Sequence, residues 1–161
     1  MLIRPTAHDD FDAIAAMTNH FIRETSIHFG YEEMTPDECR EPWLRDRERF
    51  PWLTAEIDGV FAGCAKAGVW RGRKAYENTA ETAVYVEPSM HRRGVGRALY
   101  GALLEELRTR GFHVAVGGIT LPNDASVALH EAMGYRSVGT FEEVGWKFGT
   151  WWSVGFWSRK L

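Results

Sequence analysis

The residues Met90 to Thr109, MHRRGVGRALYGALLEELRT, put Arg92, Arg93, Arg97, Gly94 and Gly96 at the start of an amphipathic run, directly after the apolar AVYV of Ala83 to Val86. When a strand feeds at once into a helix, the first helical amides lack intrahelical acceptors and carry the positive end of the helix dipole. Phosphate suits such a place. Gly94 and Gly96 would leave the backbone open to a pyrophosphate, and the three arginines would add charge. The alternative is that the glycines only permit close packing while the arginines cover a solvated helix end. A dinucleotide fingerprint is a poor match, because it wants a third glycine where Leu99 stands and usually opens a parallel domain near the N-terminus.

The elements that must position this turn are legible on either side of it. LIR before Pro5 suits a first strand, and Asp9 or Asp10 can cap a helix with Phe11, Ile14, Met17 and Phe21 on one face. TPDE at Thr35 to Glu38 reads as a capping box with proline at the first helical position, opening a helix that carries Trp43, Leu44 and Phe50. Asp58-Gly59 between two apolar segments predicts a β-hairpin through a type I′ turn. ETAVYV, Glu81 to Val86, is a further strand that ends at Pro88. The helix after it buries Val95, Leu99, Ala102, Leu103 and Leu107, and Gly111 closes it. HVAVGGIT is a strand, NDASVALHEAMGY a short helix with Asn123 as candidate N-cap and Gly134 as its stop, and the last segment alternates like a hairpin through GTWWSVGFW. Consecutive antiparallel strands followed by strand-helix-strand units predict an α/β fold, a mixed central sheet with helices on both faces.

Bulk properties bound the rest. A chain of 161 residues suits one domain, 1–161, since two units of half that length would each have a small core. With 19 Lys plus Arg against 22 Asp plus Glu, no overall field draws the chain to nucleic acid or to an anionic membrane. Cys39 and Cys64 are too few and too far apart for a disulfide framework or a zinc cluster, so both read as buried thiols and no metal is expected. The N-terminal MLIRPTAHDD lacks signal-peptide features and no apolar run approaches a membrane span, so the expectation is a soluble, cytoplasmic protein.

HRRGVG, His91 to Gly96, resembles the pyrophosphate loop of the GCN5-related N-acetyltransferases, and NDASVALHEAMGY resembles the segment that follows it in that family at the usual separation. The similarity is nearest to the phosphinothricin and methionine sulfone acetyltransferase branch. Trp70, Arg71, Arg73, Tyr76, Thr79, Glu81, VYV, LPNDASVALHEAMGY and the VGFW of Val154 to Trp157 all match it, over nearly the whole chain. His91 departs from the family's usual Gln or Arg, and Lys66 lies by alignment near the acceptor pocket, where some members carry an aromatic residue.

This resemblance implies an acyl-CoA N-acyltransferase fold, acetyl-CoA as co-substrate and direct transfer of acetyl to a small-molecule amine. The implied base is Glu81, whose other reading is an exposed carboxylate at a strand end. His130 is implied either as a ligand of the amine or leaving sulfur or as a packed helix histidine. Val84, Tyr85 and Val86 would offer amides to the pantetheine arm by strand addition, and the loop Arg92, Arg93, Gly94, Val95, Gly96 and Arg97 would hold pyrophosphate. Asn123 would cap its helix, touch the cofactor, or both. Arg71 and Arg73 suit a carboxylate, phosphinate or sulfone oxygen, although three cations in WRGRK also describe a basic surface loop. Phe29, Tyr76, Tyr85 and Val154 would wall the pocket. The implied acceptor is an amino acid analogue such as phosphinothricin, methionine sulfoximine or methionine sulfone, and the implied role detoxification. Polyamine, aminoglycoside or peptide N-terminus acetylation and a non-catalytic acyl-CoA-binding domain are the alternatives. The seven tryptophans, many in the C-terminal third, together with the family's habit, imply a homodimer.

Overall fold

The computed structural model describes residues 1–161. The chain runs β1 (Leu2–Pro5), α1 (Phe11–Glu24), α2 (Pro36–Asp46), β2 (Trp52–Ile57), β3 (Val60–Val69), β4 (Thr79–Val86), α3 (Val95–Thr109), β5 (Val114–Leu121), α4 (Asp124–Ala132), β6 (Arg136–Lys147) and β7 (Thr150–Lys160). The seven strands form one sheet in the order β1-β2-β3-β4-β5-β7-β6, antiparallel except for the β4–β5 pair. This is the mixed sheet expected from the element order.

Local chemistry explains the boundaries. Thr35 and Glu38 form the reciprocal capping box at α2 with Pro36 at the first helical position. Asp58 and Gly59 both take positive φ, 53° and 77°, as the type I′ turn requires. Two details differ from expectation. Helix α2 stops at Asp46, so Phe50 is buried beyond it, and Leu44 faces solvent. Asp10 does not cap α1 with its side chain; it accepts from Ala7 N at 2.8 Å and is gripped by Arg4 at 2.7 Å, because the nearby guanidinium offers a stronger bond than the helix amides.

Two cores occupy the two faces of the sheet. Leu99, Tyr100, Leu103 and Leu107 of α3 pack with Ala65, Ala80, Ala115 and Trp157 on one face, while Phe11, Met17 and Phe21 of α1 and Trp43 of α2 pack on Trp52 and Cys64 on the other. Strand alternation therefore sends Thr82, Val84 and Val86 toward α3, and Glu81, Ala83 and Tyr85 toward the α1–α2 face.

Candidate active site

The β4–β5 pairing covers only Thr79↔Val114, Ala80↔Ala115 and Glu81↔Val116, although both strands continue. From Thr82 onward β4 keeps β3 on one side and has lost β5 on the other. Glu87 N donates to Ala62 O, continuing the β3 ladder, so by alternation residues 81, 83 and 85 bond to β3 and the amides of Thr82, Val84 and Val86 face the gap. Of the three expected strand contacts, Val84 and Val86 are thus available to a ligand through their amides, while the amide of Tyr85 is turned to β3. His91 takes the Val86 carbonyl at 3.1 Å through its Nε2.

Side chains from the α3 face hold the gap open. Thr82 Oγ1 donates to Val116 O at 3.1 Å and lies 2.8 Å from Tyr135 Oη and 3.0 Å from Tyr100 Oη. His130, 3% exposed, completes the cluster. Its Nδ1 lies 2.8 Å from Ser126 O, which can only accept, so Nδ1 carries the proton and Nε2 accepts from Tyr100 Oη at 2.8 Å. Burial lowers the His130 pKa below 6.5, with the Ser126 bond opposing, and keeps the ring neutral. A Cβ on Gly117 would stand 2.5 Å from His130 Nε2, so glycine is required where the ring fits against β5. Both ring nitrogens are engaged away from solvent. Of the two alternatives for His130, this geometry matches the packed one, and the cause is the Tyr100 hydroxyl on the buried stripe of α3.

The open edge leads to the start of α3. Gly94 is its N-cap with φ 80°, no side chain caps the helix, and its first turn holds no acidic residue. The first helical acceptor is Gly94 O, taken by Ala98 N, so the amides of Val95, Gly96 and Arg97 have no backbone partner. These donors, with exposed Arg92, Arg93 and Arg97 around them, fit a pyrophosphate, and the amides along β4 fit the arm that would extend from it. The two glycines differ in what surrounds them within the chain. A Cβ on Gly94 would meet nothing, so that residue serves the left-handed backbone; one on Gly96 would stand 3.1 Å from Leu129 and 3.5 Å from Val86, so that residue serves helix packing. Asn123 caps α4 by accepting from Ser126 N at 3.1 Å.

Glu81 lies where two clefts meet. One, of about 380 Å³, is lined by Trp52, Lys66, Gly68, Tyr85 and the α2 residues Arg45 and Asp46; the other, of about 890 Å³, by Trp70, Arg71, Tyr76, Val116, Phe141 and Phe156. Gly68 stands opposite Glu81 on β3 and leaves open space there. Partial burial raises the Glu81 carboxyl above its usual range, and Lys66 pulls it back. A carboxylate so tuned can accept a proton from an ammonium in either cleft.

The remaining expected residues divide. Arg71 shares the larger cleft with Glu81 and stacks on Trp70 at 4.8 Å; Arg73 lies outside that cleft and lines an adjoining hollow with Asp46 and Glu77, which Arg71 and Tyr76 line as well. Tyr76 lines the larger cleft and Tyr85 the smaller. Val154 and Phe29 line neither; Phe29 packs so closely on Gly145 of β6 that a Cβ there would enter its ring. The connection carrying Phe29 is held by Lys147, 3% exposed, whose Nζ donates to Ile22, Thr25 and His28 carbonyls at 2.7, 2.9 and 2.5 Å. Sequence reading missed Lys147, since a lysine in an otherwise exposed hairpin carries no sign of burial. It also missed Tyr100, whose signal was a hydroxyl on the apolar stripe of α3.

Residues 14–135 match the family model described as Acetyltransferase (GNAT) family. The chain is 45% identical over 157 residues to a phosphinothricin N-acetyltransferase of Streptomyces viridochromogenes, covering 98% of this chain and 86% of that one. It is 34% identical over 163 residues to an L-methionine sulfoximine/L-methionine sulfone acetyltransferase of Salmonella typhimurium, covering 100% and 95%. Among solved structures, a putative acetyltransferase from Salmonella typhimurium with its cofactor acetyl-CoA superposes with a TM-score of 0.96 at 33% identity, covering 100% of this chain and 94% of that one.

Proposed function

The chain belongs to the GNAT family of acetyltransferases, and from that premise we propose that it acetylates the α-amine of a small amino acid analogue such as phosphinothricin, methionine sulfoximine or methionine sulfone. Acetyl-CoA supplies the acetyl group as a thioester: the amine's C–N bond forms as the C–S bond breaks, and coenzyme A departs as the thiol. The amides of Val95, Gly96 and Arg97 bind its pyrophosphate, those of Val84 and Val86 bind the pantetheine arm, and one of the latter donates to the thioester oxygen as charge develops there. Glu81 takes the proton of the acceptor ammonium, directly or through water. His130 positions the gap between β4 and β5 and does not touch the substrate.

The observation that carries this reading is the continuity of the site: the carboxylate of Glu81, the free edge of β4 and the unpartnered amides of α3 follow one another along a single stretch of chain. Arg71 beside Glu81 favours an anionic acceptor over a polyamine or aminoglycoside. Residues 1–161 act as one catalytic domain in the cytoplasm, with detoxification as the role. The exposed Phe141, Val144, Trp146, Phe148 and Trp151 of the β6–β7 hairpin are the apolar surface that a homodimer would bury.

Thiol release by purified protein, screened over amino acid analogues, polyamines and peptides, tests the assignment. Glu81→Gln should lower kcat by about 100-fold or more with acetyl-CoA affinity within a few-fold, and the defect should shrink at high pH, where the amine is already free. The raised Glu81 pKa places the acid limb of wild-type kcat/KM above pH 4.5. Near-wild-type turnover of Glu81→Gln at neutral pH refutes the base, and thiol release independent of any amine refutes the transferase.

A further inference from the structure

Lys66 is the residue near Glu81 that the proposed reaction leaves without a task. It stands opposite Ala83 on β3, two residues from Gly68, which stands opposite Glu81, so Lys66 and Glu81 are diagonal neighbours on one sheet face. Diagonal pairs of this kind lie about 7–8 Å apart, within reach of long side chains. The ammonium rests over the Trp52 ring at 4.9 Å and the Tyr85 ring at 5.8 Å. It forms no ion pair within the chain. Of the other charges lining its cleft, Arg45 and Asp46 are paired with each other at 2.9 Å, and Glu81, the diagonal neighbour, is the one carboxylate whose charge Lys66 feels without an ion pair. Half-buried between two aromatic faces and with its three donors unpaired, the ammonium can take an anion in addition to feeling the diagonal Glu81 charge.

Arg71 occupies the opposite side. Along the chain Lys66 precedes Gly68 by two residues and Arg71 follows it by three, and the two cations line different clefts whose shared residues include Glu81. A ligand amine at Glu81 is flanked by one cation on each side.

We propose that Lys66 is a specificity-determining residue that binds a second acidic group on the acceptor, so that the enzyme prefers α-amino acids with an anionic side chain, phosphinate or carboxylate, over those with a neutral sulfone or sulfoximine. Arg71, whose fork matches a carboxylate, takes the α-carboxylate; Lys66, a point charge, takes the side-chain acid. The proposal rests on the acetyltransferase reading above and deepens it.

The test is kcat/KM of wild type, Lys66→Met and Lys66→Arg for phosphinothricin, glutamate and methionine sulfone, with acetyl-CoA KM and thermal unfolding measured on each. Wild type should favour phosphinothricin over methionine sulfone, Lys66→Met should cut that ratio about 10- to 100-fold chiefly through KM, and Lys66→Arg should restore much of it. Loss of Lys66 also removes the charge that holds the Glu81 pKa down, but that effect moves the pH profile equally for every acceptor and cancels in the ratio. A wild type without preference for the anionic acceptors, or a folded Lys66→Met with the ratio within threefold of wild type, overturns the proposal while leaving the acetyltransferase reading intact. Absence of amine-dependent thiol release for all acceptors refutes that reading and the Lys66 proposal with it.

Discussion

Gly96→Val probes the start of α3 where packing constrains it most. A Cβ at Gly96 already stands 3.1 Å from Leu129 Cδ2 and 3.5 Å from Val86 Cγ2. Alanine can be absorbed by a small movement of the Leu129 tip, but two further γ-carbons have no room between α3, α4 and the end of β4. Overpacking of this kind costs about 1–3 kcal/mol, and the helix end relieves it by moving away. The amides of Val95, Gly96 and Arg97 move with it. If the cost is recovered only by giving up the geometry that binds pyrophosphate, acetyl-CoA affinity falls about 10- to 100-fold, since each tenfold step is about 1.4 kcal/mol. Gly94 supplies the contrast. With φ 80° and open space around it, alanine there meets no atom but pays about 1–2 kcal/mol for the left-handed backbone, and asparagine, which tolerates that region, should recover part of the loss. Titration calorimetry with acetyl-CoA, beside thermal unfolding of each variant, separates lost binding from lost stability. A folded Gly96→Val that binds acetyl-CoA within twofold of wild type would show that the cofactor does not use this turn.

Because Arg71 lines the cleft with Glu81 and Arg73 does not, Arg71→Ala should raise the KM for phosphinothricin roughly 10- to 150-fold, the loss of a charge-assisted bond of about 1.5–3 kcal/mol, while Arg73→Ala stays within threefold; the reverse pattern in steady-state kinetics refutes the placement. His130 also makes a pH-dependent prediction. Its folded pKa is lowered below 6.5, so between the two values the unfolded chain binds more protons, and the contribution to stability is full above pH 6.5 and lost as pH falls through the folded value. The stability gap between wild type and His130→Gln, from urea melts at pH 7.5 and at about pH 5, should therefore narrow on acidification; a constant or widening gap rules out a buried neutral imidazole.

Much of this protein is written in short stretches of its chain. The capping box at Thr35–Glu38, the positive-φ pair Asp58–Gly59, the stripe of α3 and the left-handed stops at Gly111 and Gly134 are each decided by residues within a few positions, because caps, turns and helical periodicity are local physics. The order of elements followed from them, and so did the strand-to-helix turn that leaves the first amides of α3 without backbone partners. What the sequence could not decide was which side chains meet. Arg71 and Arg73 are indistinguishable in WRGRK, yet the path of the chain after β3 puts Arg71 in the cleft with Glu81 and leaves Arg73 outside it, in an adjoining hollow. His130 looks available in a helix of nine residues, yet Tyr100, thirty positions earlier, and Gly117 on β5 close the space around it. Nothing in ETAVYV separates the amide of Tyr85 from that of Val84; strand register fixes the direction of each. These outcomes depend on contacts between elements far apart in the chain, where burial and hydrogen-bond geometry are set jointly by several partners, so only the assembled sheet and its packed helices could determine them.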